Sequence, residues 1–153
     1  MKSLPFLSLS LIFPLVLGYS KPLEKSATKA NIILMDTIRI VIQVGDTQID
    51  AMLFDNPTTR SFLKQFPLTV TVEDHAGTEK IFYPKPPLDK KGAPDGAKPV
   101  KGDIMYYAPW DDVAIFYKSF RYAPGLIPMG NIQDVDALVE ALQHSHSITF
   151  KIK

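Results

Sequence analysis

The strongest constraint on the fold is a run of aromatic and β-branched residues at 102–118, GDIMYYAPWDDVAIFYK. We call it the central hairpin, because two strand-forming stretches flank Pro109 and Asp111-Asp112, which favour a tight turn. Alternation sets Ile104, Tyr106 and Ala108 against Met105 and Tyr107, and in the second strand Val113, Ile115 and Tyr117 against Ala114 and Phe116. Both faces are largely apolar. We therefore expect one face to pack in a core and the other to line a pocket or lie under a loop.

The remainder of residues 37–153 is also typical of short strands. Alternation predicts strands at 37–44 and 47–54, joined by a Gly45-Asp46 turn, then at 68–74, 79–83, 126–132 and 145–153, the last with Ile148, Phe150 and Ile152 inward. Asp55 or Asn56 can cap a short helix that starts at Pro57. Asp134 can cap a second helix at 134–143. The pattern predicts a mainly β fold, a closed or half-closed antiparallel barrel of about eight strands with two short helices.

The segment 83–101 differs from the strands around it, because it is rich in proline, glycine and lysine and shows little periodicity. A loop of this length inside a compact domain is often functional, and we interpret it as an ordered loop over the barrel. The alternative is a solvated insertion.

The N-terminal residues form a separate unit. Residues 1–20 combine a positive start at Lys2, an apolar stretch and small residues at Gly18 and Ser20, the pattern of a secretory signal peptide. Residues 21–36 then form a polar tether to a domain at 37–153. We expect export to the periplasm or beyond, with no membrane span after cleavage. The alternative is an uncleaved N-terminal anchor.

Composition and motifs exclude several function classes. The net charge is +1, so nothing draws the chain to nucleic acid. There is no cysteine, which excludes disulfides and thiol catalysis. His144 and His146 share one side of a strand but have no third ligand nearby, so we predict neither a metal nor a cofactor. Asp111 and Asp112 are explained by the turn. No nucleophile elbow, phosphate loop or dinucleotide motif is present, and we assign no catalytic residue.

Three segments carry a resemblance to a known family. LFDNPTTRSFLKQFPLTV, EDHAGTEKIFYP and GDIMYYAPWDDVAIFYKSF follow one another in the order seen in a bacterial family of small proteins with a cyclophilin-like fold. The resemblance covers roughly residues 37–153 and implies that fold, without implying a reaction. True cyclophilins carry a Phe-His-Arg-type motif and a Gly-Ser-Gln-Phe-Phe-type strand. Neither motif occurs here, so the isomerase residues cannot be transferred.

The central hairpin supplies the candidate binding residues, because tyrosine and tryptophan combine a flat apolar body with a polar tip. We predict that a small molecule or peptide binds at Tyr106, Tyr107, Trp110, Phe116, Tyr117, Arg121 and Glu79. A buried Glu79 would need a partner such as Arg121, as a structural ion pair or as part of a ligand site. Glu79 and Lys80 point to opposite faces of their strand, so both cannot enter one pocket.

The leading function is therefore an exported, non-enzymatic binding module. The main alternative is a peptidyl-prolyl isomerase with a non-standard site, in which Arg121 is the one arginine that can reach an aromatic pocket. Arg39 lies on the polar face of its strand, and Arg60 on the exposed side of its helix. A third possibility is an auxiliary domain of a redox or transport system.

Overall fold

The computed structural model describes residues 36–153, which contain eleven strands and two helices. The strands are β1 Thr37–Val44, β2 Thr47–Phe54, β3 Leu68–Thr71, β4 Glu73–His75, β5 Glu79–Phe82, β6 Gly96–Ala97, β7 Asp103–Tyr107, β8 Asp112–Phe116, β9 Ala123–Pro124, β10 Leu126–Ile132 and β11 Ser147–Ile152. The helices are α1 Pro57–Leu63 and α2 Val135–Ala141. The signal peptide and the tether lie outside the described residues.

Nine of the strands form a nearly closed antiparallel barrel. Their order is β3-β11-β1-β2-β10-β7-β8-β5-β4, and β6 and β9 form a separate pair. The two edge strands, β3 and β4, follow each other in the chain and are separated only by Val72. The two ends of the sheet are therefore held together by the backbone itself, which curls the sheet round. The predicted fold class is confirmed.

The barrel interior is an apolar core with an aromatic centre. The rings of Phe62, Phe66, Phe82 and Phe150 pack together with centroid distances of 4.9 to 6.0 Å. Phe62 comes from α1 and Phe150 from β11, and both are fully buried. The helix therefore closes one end of the barrel by inserting an aromatic side chain among those of the strands.

Both helices begin where the sequence predicts. The Thr59 backbone N–H donates to Asn56 Oδ1 over 2.9 Å, and Pro57 occupies the first turn, where no amide donor is needed. The Ala137 backbone N–H donates to Asp134 Oδ1 over 3.0 Å. Arg60 lies on the exposed side of α1, as predicted.

Two strand predictions are wrong in detail. The strand predicted at 68–74 is broken at Val72 into β3, which pairs with β11, and β4, which pairs with β5. Ile152, predicted to point inward, is 62% exposed. The pairing of β11 with β3 ends at Phe150, so no strand covers that side of β11 at Ile152.

The segment between β5 and β7 packs on the barrel instead of extending into solvent. Leu88 belongs to the main core, and its backbone N–H donates to the Tyr106 hydroxyl over 3.2 Å. The Thr58 hydroxyl of α1 donates to the Asp89 carbonyl over 2.6 Å. Further along, β6 pairs with β9, which anchors the segment beside the central hairpin.

Within residues 36–153, no helix has both the length and the apolar character required to cross a membrane.

Candidate binding cleft

The two faces of the central hairpin pack in different parts of the protein. Ile104, Tyr106, Val113 and Ile115 face the barrel core, as alternation predicts. The opposite face forms a second apolar cluster on the outside of the barrel, made of Ile81, Met105, Ala114, Phe116 and Leu126. These five residues are all buried, and three of them, Ala114, Phe116 and Leu126, also line a depression in the protein surface.

The depression is a cleft of about 330 Å³, which we call the outer cleft. Tyr107, Trp110, Asp112 and Phe116 of the central hairpin line one side, His75 and Glu79 come from β4 and β5, and Arg121 and Tyr122 come from the segment after β8. Its size lies at the lower end of the range for small-molecule sites. Three separate parts of the chain therefore converge on one site.

Five of the seven predicted binding residues line this cleft, namely Glu79, Tyr107, Trp110, Phe116 and Arg121. The Trp110 ring meets the Tyr107 ring nearly edge-on at a centroid distance of 5.4 Å. Trp110 is 53% exposed, so most of its indole is free to meet a ligand. The other two predicted residues, Tyr106 and Tyr117, lie on the opposite face of the hairpin.

Tyr106 is a core residue. Its side chain is fully buried, and its hydroxyl donates to Asp111 Oδ1 over 2.6 Å while accepting from the Leu88 backbone N–H. Burial, followed by the hydrogen bond to Asp111, raises the pKa of Tyr106 well above its usual value. The hydroxyl therefore links the hairpin turn to the segment between β5 and β7 and is not available to a ligand.

Tyr117 packs against the main core and serves a different polar network. Its hydroxyl donates to Asp74 Oδ1 over 2.7 Å, and Lys80 Nζ lies 2.8 Å from the same oxygen. Burial, followed by the bond to Asp74, raises the pKa of Tyr117 to about 12. As predicted, Lys80 points away from the cleft while Glu79 lines it.

Glu79 and Arg121 share the cleft without pairing. The ion pairs formed within residues 36–153 do not include one between these two side chains. The Arg121 guanidinium instead lies 4.7 Å from the centroid of the Phe120 ring. Burial raises the pKa of Glu79. The structural ion pair considered for Glu79 is therefore absent between these two residues, and both charges remain free toward the cleft.

Asp112 is the residue that the sequence analysis missed. Asp111 does occupy the turn, with a φ of 58°, but Asp112 is the first residue of β8 and pairs with Tyr107. The residue is only 2% exposed, and no hydrogen-bond donor of residues 36–153 reaches its Oδ1. Burial raises the pKa of Asp112 to about 6. Alternation along the strand could have identified Asp112 as an outer-face residue, because it shares its strand face with Ala114 and Phe116.

His75 is a second cleft residue that was not among the predicted binding residues. It ends β4, where it pairs with Glu79 of β5, and its ring meets Trp110 edge-on at a centroid distance of 5.4 Å. An alternating strand on each side of the Ala76-Gly77 turn would have predicted the pairing with Glu79. It would not have predicted the contact with Trp110, which joins two separate hairpins.

The barrel and its outer cleft define a class of protein, the small antiparallel barrels of cyclophilin-like architecture. Residues 42–153 match the model of the Cyclophilin-like family, and the chain belongs to that family.

Among solved structures, the solution structure of the hypothetical protein AF2241 from Archaeoglobus fulgidus is similar, with a TM-score of 0.56 and 18% identity. The match covers 76% of this chain and 95% of that one, and at this identity it shows the fold alone. No curated protein matches the chain.

Proposed function

We propose that the chain is a non-enzymatic binding module whose ligand, a small molecule or a peptide segment, occupies the outer cleft. The convergence of three chain segments on one aromatic cleft of about 330 Å³ carries this proposal. The cleft borders the buried outer cluster and exposes the side chains of Trp110 and Tyr122, so a ligand placed there removes apolar surface from water.

Exposed aromatic side chains at the cleft support binding. Trp110 is 53% exposed, Tyr122 52% and Phe120 37%, and all three line the cleft. Half of the exposed large apolar side chains in residues 36–153 therefore lie at this one site, which is typical of interaction sites. Their rings offer flat contact area with few rotatable bonds, so little conformational entropy is lost on binding.

The test is a fragment and peptide screen followed by amide chemical-shift mapping on the full chain. We expect hits to shift the amides of cleft residues, and Tyr122→Ala to weaken them by about tenfold. Tyr83→Ala is the matched control, since Tyr83 is 51% exposed but does not line the cleft. Hits that map elsewhere, or that respond equally to both substitutions, would contradict the proposal.

A second candidate function is a peptidyl-prolyl isomerase with a non-standard site. Arg121 favours it, because a guanidinium donor in an aromatic cleft is the group that could stabilise a twisted prolyl amide. The assay compares the wild type with Arg121→Ala on an X-Pro test peptide. We expect no catalysis by either protein. Catalysis that collapses in the variant would replace the binding module with the isomerase.

Export is part of the proposal and rests on the sequence of residues 1–20. When the full chain is expressed from its own start in a bacterium, we expect the mature protein outside the cytoplasm, starting at Lys21. Terminal sequencing checks this expectation. A cytoplasmic protein that retains Met1 would contradict it.

A further inference from the structure

We propose that the ligand of the outer cleft carries a positively charged ammonium or guanidinium group on an aromatic body, and that Asp112 recognises this charge. The inference rests on the proposed function, because it assumes that the outer cleft is the binding site. It adds the chemical class of the ligand and the residue that selects it.

Among the described residues, Asp112 lacks the cationic partner that two other carboxylates of the protein have. Asp111 Oδ1 lies 2.7 Å from Lys90 Nζ, and Asp74 Oδ1 lies 2.8 Å from Lys80 Nζ. Asp112 is more buried than either, yet none of the donors in residues 36–153 bonds its Oδ1. A buried carboxylate is costly without a compensating charge or hydrogen bond. A donor or cation for the free Oδ1 can enter through the cleft that Asp112 lines.

The lining of the cleft near Asp112 carries further negative charge. Glu79 adds another carboxylate to the same cleft, half-buried and not paired with Arg121. Arg121 lies over the Phe120 ring, an exposed position from which its charge is screened by water. His75 is the other titratable group near both carboxylates. Two carboxylates face this one imidazole, so the less accessible part of the cleft is acidic, and a ligand that places a cation there gains most.

The lining of the outer cleft is also aromatic. Tyr107, Trp110 and Phe116 line the cleft together with the two carboxylates. Aromatic faces attract organic cations through their quadrupole, and most strongly so where water is excluded. Within the described part of the chain, no group of three His, Cys, Asp or Glu side chains can hold a metal ion. Carboxylates among aromatic rings, without a metal-ligand set, favour an organic cation.

The experiment compares three probes of similar shape on the full chain: phenethylamine, phenethyl alcohol and phenylacetate. Titrations at about pH 8, where Asp112 is ionised, use chemical-shift mapping and the fluorescence of Trp110, the only tryptophan. We expect the amine to bind at least about tenfold more tightly than the alcohol, and phenylacetate to bind most weakly.

The Asp112→Asn variant tests whether Asp112 is the residue that causes the preference for the amine over the alcohol. We expect it to weaken the amine by about tenfold and to leave the alcohol unchanged. Asp111→Asn is the matched control, because it removes the same charge one residue away, outside the cleft lining. Glu79→Gln is a second variant, for which we expect a smaller loss of amine affinity because Glu79 is less buried.

The possible results separate the two proposals. Binding of the amine and the alcohol with equal affinity would overturn the cationic ligand and leave the binding cleft intact. A preference for the amine that survives in Asp112→Asn would overturn the role of Asp112. If no probe shifts the amides of the cleft, both the cationic ligand and the proposed function are contradicted.

Discussion

Replacing Asp112 by asparagine should make the free protein more stable at neutral pH. Asp112 as a residue is 2% exposed, and within residues 36–153 its Oδ1 has no hydrogen-bond partner. An ionised carboxylate in such a place loses its hydration, and its own backbone N–H and the nearby His75 offset only part of that cost. Asparagine has nearly the same shape and no charge, so the variant removes the penalty without opening a cavity.

The magnitude and its pH dependence follow from the raised pKa. The usual pKa of 3.8 becomes about 6 in the folded chain, a difference worth roughly 3 kcal/mol of stability once the group is ionised. Between these two values the folded state holds a proton that the unfolded state has lost, so stability falls as pH rises. Asparagine itself needs hydrogen-bond partners, and we therefore expect a gain of about 1–3 kcal/mol at pH values above about 7.

Urea denaturation of wild type and variant at several pH values measures this directly. The two curves should converge below about pH 3, where Asp112 is protonated in both states, and separate as the pH rises through about 4 to 6. Asp111→Asn is the control with the opposite sign. Lys90 and then Tyr106 lower the pKa of Asp111, so its charge is stabilising and its removal should destabilise the protein. An Asp112→Asn protein that is less stable than wild type at neutral pH would refute the reasoning.

Three further substitutions test the barrel by urea denaturation. Tyr106→Phe deletes both hydrogen bonds of a buried hydroxyl and should cost about 1–3 kcal/mol; a neutral result would show that they add nothing. Phe150→Ala should cost about 3–5 kcal/mol, whereas Ile152→Ala on the same strand should cost under about 1 kcal/mol; equal losses would contradict the assigned core. Gly130→Ala would press its Cβ against the Met52 carbonyl oxygen and should unfold the protein or destabilise it by more than about 2 kcal/mol; wild-type stability would contradict the close strand contact.

Local rules predicted most of the barrel, because its strands and helix caps follow them. Alternation separated the two faces of the central hairpin, and Asn56 and Asp134 cap the helices as their side-chain chemistry favours. The break at Val72 could not be predicted in this way. Alternation continues through that residue, and the change of partner from β11 to β5 depends on how the whole sheet closes.

The candidate site was predicted only where neighbouring residues of the chain determine its geometry. Tyr107, Trp110 and Phe116 are brought together by one hairpin, so their proximity is encoded locally. The position of Tyr106 is not encoded locally, because its hydroxyl bonds with Leu88 from the segment between β5 and β7 as well as with Asp111. Long-range contacts thus removed a predicted site residue, and contacts of the same kind placed His75 beside Trp110.

Asp111 and Asp112 show why residue type alone could not identify the acidic group of the cleft. Both are turn-forming residues in the same dipeptide, and the turn accounts for Asp111, which adopts a positive φ and pairs with Lys90. Asp112 lies one residue further on, so its side chain leaves the turn and enters the outer face of the barrel. A turn does not require a carboxylate there, and burial makes one costly. Asp112 is expected to lower the stability of the free protein, and it lines a cleft, so a ligand explains it better than the fold does.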